Sequence, residues 1–269
     1  MTGVQTCALP IFRGQYKVDV WRIQRIAANV HSALSSGRIT QDQADAQYQQ
    51  LQQQQQALPD SSLTALVDGT LQEQLAAKEG VSVTSGDVDA KLLDEATSPE
   101  LRHVWVIAVS PTASTTSGDA SAATAAPTEA DKAAARKKLE DAKAKVTAAG
   151  ATDGTWEEVA TAISEDSSAA KGGDLGWVSK DAGTDSFLAA LFALKDNGVT
   201  DIIEGSDGVL RIGRVSEIVA SQVDQNYQQS ITDAKVPLEA YRRTISHELL
   251  KTRLSAKIVE DAVNTRSEE

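Results

Sequence analysis

The 269-residue chain has a single cysteine, Cys7, so it can form neither an internal disulfide nor a cysteine-built zinc site. Its three histidines, His31, His103 and His247, lie too far apart in sequence to match a metal-ligand spacing. No apolar run reaches the roughly 18–20 residues of a membrane span. Ala8-Leu9-Pro10-Ile11-Phe12 is too short for the apolar core of a signal peptide and lacks a basic flank. Basic residues are outnumbered, 26 Lys and Arg against 38 Asp and Glu, for a net charge of -12. That balance argues against nucleic acid or an anionic membrane surface as the main partner, since both select basic patches. Aromatic residues make up only 4% of the chain, which points to several small cores, or to helices packed through Ala, Leu, Ile and Val. There is no Walker loop, no G-x-G-x-x-G, no nucleophile elbow and no His-Glu-x-x-His.

What is present is mainly helical pattern. Residues 1–12 lead into no readable element and are read as a non-native or disordered leader. Residues 13–98 carry apolar positions at three- and four-residue spacing: Ile23, Ile26, Val30 and Leu34, stopping at Gly37. Thr40 with Gln43 has the form of a capping box. A second helix follows through Ala44, Leu51 and Leu58, and 10 of the 16 residues in 41–56 are Gln, read as a solvated helix face. Pro59-Asp60-Ser61-Ser62 is expected to break that helix. A third then runs through Leu63, Leu66, Leu71 and Leu75 to Gly80, and a short fourth starts at Thr84.

From residue 99 the character changes. His103-Val104-Trp105-Val106-Ile107-Ala108-Val109 is β-rich on both faces, as in a buried central strand. Residues 110–128 hold 15 Ser, Thr or Ala in 19 and are read as a mobile surface loop. Helices are expected over 129–149, from a capping box of Thr155 and Glu158, and over 185–194. Two strands at 199–204 and 209–218 are joined by Gly205-Ser206-Asp207-Gly208. Residues 220–269 return to helix. The fold class is α+β: a small β-containing unit, 99–219, inserted between N- and C-terminal helical segments that pack into one lobe.

One run stands out: Ser164-Glu165-Asp166-Ser167-Ser168, then Gly172-Gly173-Asp174-Leu175-Gly176-Trp177. Glycines there let the backbone turn sharply beside another segment. With Arg102-His103-Val104-Trp105-Val106, Trp156-Glu157-Glu158-Val159-Ala160, Phe187-Leu188-Ala189-Ala190-Leu191-Phe192 and the segment from Gly208 to Glu217, it falls in the order found in parvulin-type peptidyl-prolyl isomerases, which residues 99–218 resemble. The flanking helices are similar to those of bacterial export foldases of the SurA and PrsA type.

That resemblance implies a small antiparallel sheet wrapped by helices, and an activity that rotates X-Pro bonds without cofactor or covalent step. By the same resemblance His103 and Asp166 take the catalytic positions. Leu175, Phe187, Phe192, Asp207 and Leu210 take the substrate-binding ones. Three departures are visible: Gly183 where the family has Met or Leu, Leu210 in place of a second histidine, and Asp207 in place of a hydroxyl. The partners implied are unfolded or proline-containing polypeptides. The implied location is the bacterial cell envelope or exterior, with membrane anchoring through a segment preceding this sequence. The alternative function is a non-catalytic chaperone whose parvulin unit only binds peptide.

Overall fold

The computed structural model describes residues 4–111, 127–195 and 198–268. Two compact units are present. One is formed by Met1–Ser98 with Val223–Glu269, the other by Pro99–Gln222. In chain order the elements are α1 (Val4–Ser35), α2 (Gln41–Glu79), α3 (Ser85–Ala96), β1 (Thr97–Ser98), β2 (Leu101–Val109), α4 (Glu129–Val146), α5 (Asp153–Ile163), β3 (Asp174–Ser179), α6 (Ser186–Ala193), β4 (Ile203–Glu204), β5 (Leu210–Val219), β6 (Gln222–Val223), α7 (Tyr227–Asp233) and α8 (Leu238–Glu268).

Two expectations for the helical unit are corrected. Residues 4–12, within the stretch read as a non-native or disordered leader, are helical and form the first turns of α1. Pro59 does not end a helix: α2 runs unbroken from its Thr40–Gln43 capping box to Gly80, whose φ of 66° suits a left-handed C-cap. A mid-helix proline forfeits one backbone hydrogen bond and crowds the carbonyl four residues back, a cost of about 3 kcal/mol. Tertiary packing on both sides offsets it. Leu58 and Ser62 are buried, and the Ser62 hydroxyl donates to Asp19 Oδ2 of α1 at 2.5 Å.

The helical core also departs from the expectation of aliphatic packing alone. Trp21 of α1 meets the rings of Tyr227 and Tyr241 edge-on, with centroids 5.5 and 5.4 Å away. Both phenol hydroxyls donate to Glu95 Oε2, at 3.0 Å from Tyr227 and 2.6 Å from Tyr241. Arg22 donates to Glu95 Oε1 at 3.0 Å. Burial pushes both phenols up from their ordinary pKa, so they remain protonated donors to the carboxylate. One polar knot thus ties α1, α3, α7 and α8 within an apolar cluster that includes Val18, Leu92, Ile231 and Ile245.

In the second unit four antiparallel strands lie in the order β3-β2-β5-β4. Strand β2 is central, as its apolar composition implies, and alternation assigns its two faces. Ile107 and Val109, with Trp105 beside them, pack with Leu139 and Ala142 of α4 and Trp156 and Ala160 of α5. Val104 packs on the opposite face with Leu191 of α6 and Val215 of β5. Helix α5 starts earlier than expected, capped by Thr152 with Thr155, whose hydroxyl accepts from the Thr152 amide at 3.1 Å. The Ser/Thr/Ala-rich loop lies mostly outside the described residues, at 112–126.

Gly69 of α2 is buried, and the imidazole of His247 from α8 sits where a Cβ would be. The same imidazole is held by Glu73 at 2.8 Å. Replacing a helical Gly by Ala ordinarily stabilises by about 1 kcal/mol. Gly69→Ala is expected to destabilise the helical unit instead, by about 1–3 kcal/mol in chemical denaturation, the usual cost of overpacking. His247→Ala in the same chain is expected to restore the normal gain.

Candidate functional site

Strand β2 opens with a buried charge. Arg102 is 6% exposed and its Nη1 donates to the carbonyls of Leu191 and Leu194, at 2.5 and 2.7 Å, at the C-terminal end of α6. Glu100 pairs with its Nε at 2.6 Å, and its guanidinium lies 4.9 Å from the ring centroid of Phe192. A cation on the exposed carbonyls of a helix C-terminus is favourable both as hydrogen bonding and against the helix dipole. Arg102 therefore holds α6, and with it Phe187, against the sheet.

Further along β2, Ala108 organises the polar run. Its amide donates to Ser164 Oγ at 3.1 Å, and its carbonyl accepts from the Glu165 amide at 2.8 Å. The run is thereby stitched to the sheet just before Asp166. Asp166 then caps the 3-10 turn Ser167–Lys171, accepting from the Ser168 amide at 2.8 Å and the Ser168 hydroxyl at 2.6 Å. Gly173, with φ of 87°, accepts at its carbonyl from the Val106 amide at 2.8 Å, and a Cβ there would run into the Val106 carbonyl oxygen. This is the close backbone approach that the glycine-rich run implied.

On its other side Ala108 pairs with Arg211 of β5. Both backbone groups of Ala108 already serve residues 164 and 165, so this is a non-hydrogen-bonded pair, the closer kind, with Cα atoms about 4.5 Å apart. Arg211 makes a two-pronged pair with Asp207, Nη1 to Oδ1 at 2.9 Å and Nη2 to Oδ2 at 2.5 Å. That pairing raises Arg211 further above its ordinary value and holds the Asp207 carboxyl well below the usual carboxylate range. Asp166 and Asp185 add their negative charges to the effect on Arg211. Two residues on, Gly213 leaves space for α6: a Cβ there would lie 2.6 Å from Leu191 Cδ2 and 2.8 Å from Phe187 Cζ. Asp185 caps α6 through the Leu188 amide at 2.9 Å.

The expected site residues are therefore distributed unevenly. Asp166, Phe187 and Asp207 gather around Arg211 and Gly213, on the α6 face. Leu175 is the extra residue of a β-bulge opposite Val104 and Trp105, and stands 42% exposed on the edge strand. Phe192 sits at the far end of α6, against Arg102. Leu210 was expected at the substrate; it is buried beneath α4 and α5, paired with Val109, and is a core residue. Beside Gly183, a Leu188 methyl lies 3.7 Å from where a Cβ would stand.

His103 does not join Asp166. It precedes Ala108 by five residues, about 17 Å at a rise of ~3.3 Å per residue, and points to the opposite sheet face. Its partners are Asp174 at Nε2, 3.1 Å, and Ser216 at Nδ1, 2.9 Å, with Trp105 and Trp177 against the ring at 5.8 and 5.4 Å. Ser216 also accepts from Trp105 Nε1 at 3.2 Å. Both ring nitrogens of the histidine are therefore engaged at this end of the sheet. Reasoning from sequence missed Arg102, Asp185 and Arg211. The Asp207-Gly208 turn with Arg four residues after Asp207 was the available signal for Arg211. A charged residue at the head of a buried strand was the signal for Arg102. Among the described residues, no group of three or more His, Cys, Asp or Glu is arranged to hold a metal ion.

Arg102→Ala removes two buried hydrogen bonds and leaves Glu100 unpaired. It is expected to lower the stability of the β-containing unit by about 3 kcal/mol and to expose Phe187 and Phe192 to a solvent quencher. Unchanged denaturation would show that α6 is held without it.

Residues 119–223 match the Rotamase family model, a PPIC-type PPIASE domain. The chain is 41% identical over 64 residues to the peptidyl-prolyl cis-trans isomerase NIMA-interacting 1 of Theileria annulata, and to its buparvaquone-resistant form. That stretch is 24% of this chain, and the chain spans 45% of the length of these curated relatives. Among solved structures, SurA-like chaperones of Campylobacter jejuni align at 16% identity over 92% of both chains, with a TM-score of 0.39. The foldase protein PrsA from Streptococcus pneumoniae aligns at 15% identity over 92% of this chain and 81% of its own, with a TM-score of 0.35.

Proposed function

We propose that this chain, which carries a PPIC-type parvulin domain over residues 119–223, rotates X-Pro peptide bonds in unfolded polypeptides. The observation that carries this reading is the coincidence of that family match with the compact unit Pro99–Gln222, whose α6 face gathers Asp166, Phe187 and Arg211. The uncatalysed barrier is about 18–20 kcal/mol, because rotation breaks amide resonance. In the twisted state the nitrogen no longer shares its lone pair, so the charge-separated resonance form is lost. An apolar wall favours that less polar state over the solvated planar amide. In our reading Phe187 and Leu188 supply the wall for the proline ring. The Asp166 carboxylate stands beside the carbonyl and disfavours its planar, charge-separated form. The Asp207–Arg211 pair locks the hairpin that borders the site.

A second activity has its own support. Helix α2 exposes Leu63, Val67, Leu71 and Leu75, at four-residue spacing on one face. Such a row can hold apolar stretches of an unfolded client. With His103 away from Asp166, holding clients without isomerising them is the alternative function. We place the protein in the cell envelope or outside the cell, on the resemblance of its flanking helices to export foldases. No helix among the described residues is long and apolar enough to cross a membrane.

Exchange NMR on a short Ala-Pro peptide, run beside an aggregation assay on an unfolded client, separates the two. Wild type is expected to accelerate exchange, with Phe187→Ala reducing kcat/KM at least tenfold, the scale of a lost buried aromatic contact of about 1.4 kcal/mol or more. His103→Ala is expected to keep its rate. Val67→Glu with Leu71→Glu is expected to lose aggregation suppression and keep isomerisation. No acceleration by wild type, with suppression intact, would leave only the holding function.

A further inference from the structure

The charges around the α6 face carry a statement about substrate sequence, which rests on the isomerase reading above. Arg211 is paired: each of its terminal nitrogens donates to one oxygen of Asp207. That pair is close to neutral. Two further carboxylates border the same place. Asp166 follows the residue hydrogen-bonded to Ala108, and Ala108 is the cross-strand partner of Arg211. Asp185 caps α6 two residues before Phe187, which leans on Gly213, two residues along β5 from Arg211. Asp166 accepts only from the Ser168 amide and hydroxyl, and Asp185 from the Leu188 amide. These are neutral donors, and no ion pair within 4 Å is formed by either carboxylate among the described residues.

We propose that Asp166 and Asp185 select the residue flanking proline, favouring Lys or Arg and disfavouring Glu, Asp or a phosphorylated side chain. An X-Pro segment seated against Phe187 presents its preceding side chain beside these two carboxylates. An ammonium or guanidinium there gains their attraction, and an anion meets both at once, with the Arg211 guanidinium already paired to Asp207.

The test compares peptides that differ only in the residue before proline, Lys, Ala or Glu, with the full chain at low salt. Exchange NMR gives kcat/KM, and chemical-shift titration gives affinity. The expected order is Lys over Ala over Glu, with Lys and Glu on the order of tenfold apart, and the spread narrowing at 0.5 M salt. Asp185→Asn keeps an oxygen for the Leu188 amide, since Asn caps as well as Asp. It is expected to cut the Lys-to-Glu ratio at least threefold at an unchanged melting temperature. Equal use of Lys and Glu peptides, a preference for Glu, or a ratio that Asp185→Asn leaves unmoved would overturn the proposal. Should no peptide be turned over, the isomerase reading fails by itself. The titrations still decide the charge selection: Lys over Glu in affinity, dependent on Asp185, supports it, and equal affinity or no binding overturns it.

Discussion

Ala108 uses its amide and carbonyl on one side for Ser164 and Glu165, and faces Arg211 on the other. Much of the β-containing unit follows from this. The polar run is pinned to the sheet at one point, so Asp166 arrives beside β5 rather than elsewhere along the strand. The Arg211 side chain is directed to the α6 face, where Gly213 leaves room for Phe187 and Leu191. Because β2 is buried on both faces, a one-residue slip would reverse every assignment, and the two apolar clusters hold the register against it. Arg102 then secures the far end of α6 through its carbonyls.

The helical unit rests on a different kind of constraint. Three of its six aromatic residues, Trp21, Tyr227 and Tyr241, share one cluster, with Glu95 receiving both phenols and Arg22 neutralising it. Segments from both ends of the chain meet there, so the unit closes only once α7 and α8 are available. A chain poor in aromatics can still build a specific core if they meet at a single polar centre, since a fully satisfied buried network fixes which partners belong together.

Local chemistry was the most legible part of the sequence. Capping residues Thr40 and Thr84, the left-handed glycines Gly37, Gly80 and Gly208, and the two-sided apolar strand β2 all read directly, because each depends on neighbours only a few residues away. Pro59 misled because its local cost is outweighed by Leu58 and Ser62 packing against residues distant in sequence. The separation of His103 from Asp166 was hidden for a related reason. Its place in a motif does not fix register along β2, and five residues put it at the other end and on the other face of the strand. Leu210 lay in a strand whose alternation could be read, yet which face met α4 and which met α6 was a tertiary fact.

The central claim is one of place: the peptide site lies at Asp166, Phe187 and Arg211, and the His103 cluster is structural. Backbone amide shifts of the isotopically labelled full chain, followed while a Lys-Pro peptide is titrated in, test this directly. The account predicts saturable shifts clustered at 164–168, 185–188 and 211–213, with His103, Trp177 and Ser216 unmoved. Shifts centred on His103, Trp177 and Ser216, with the α6 face silent, would contradict it.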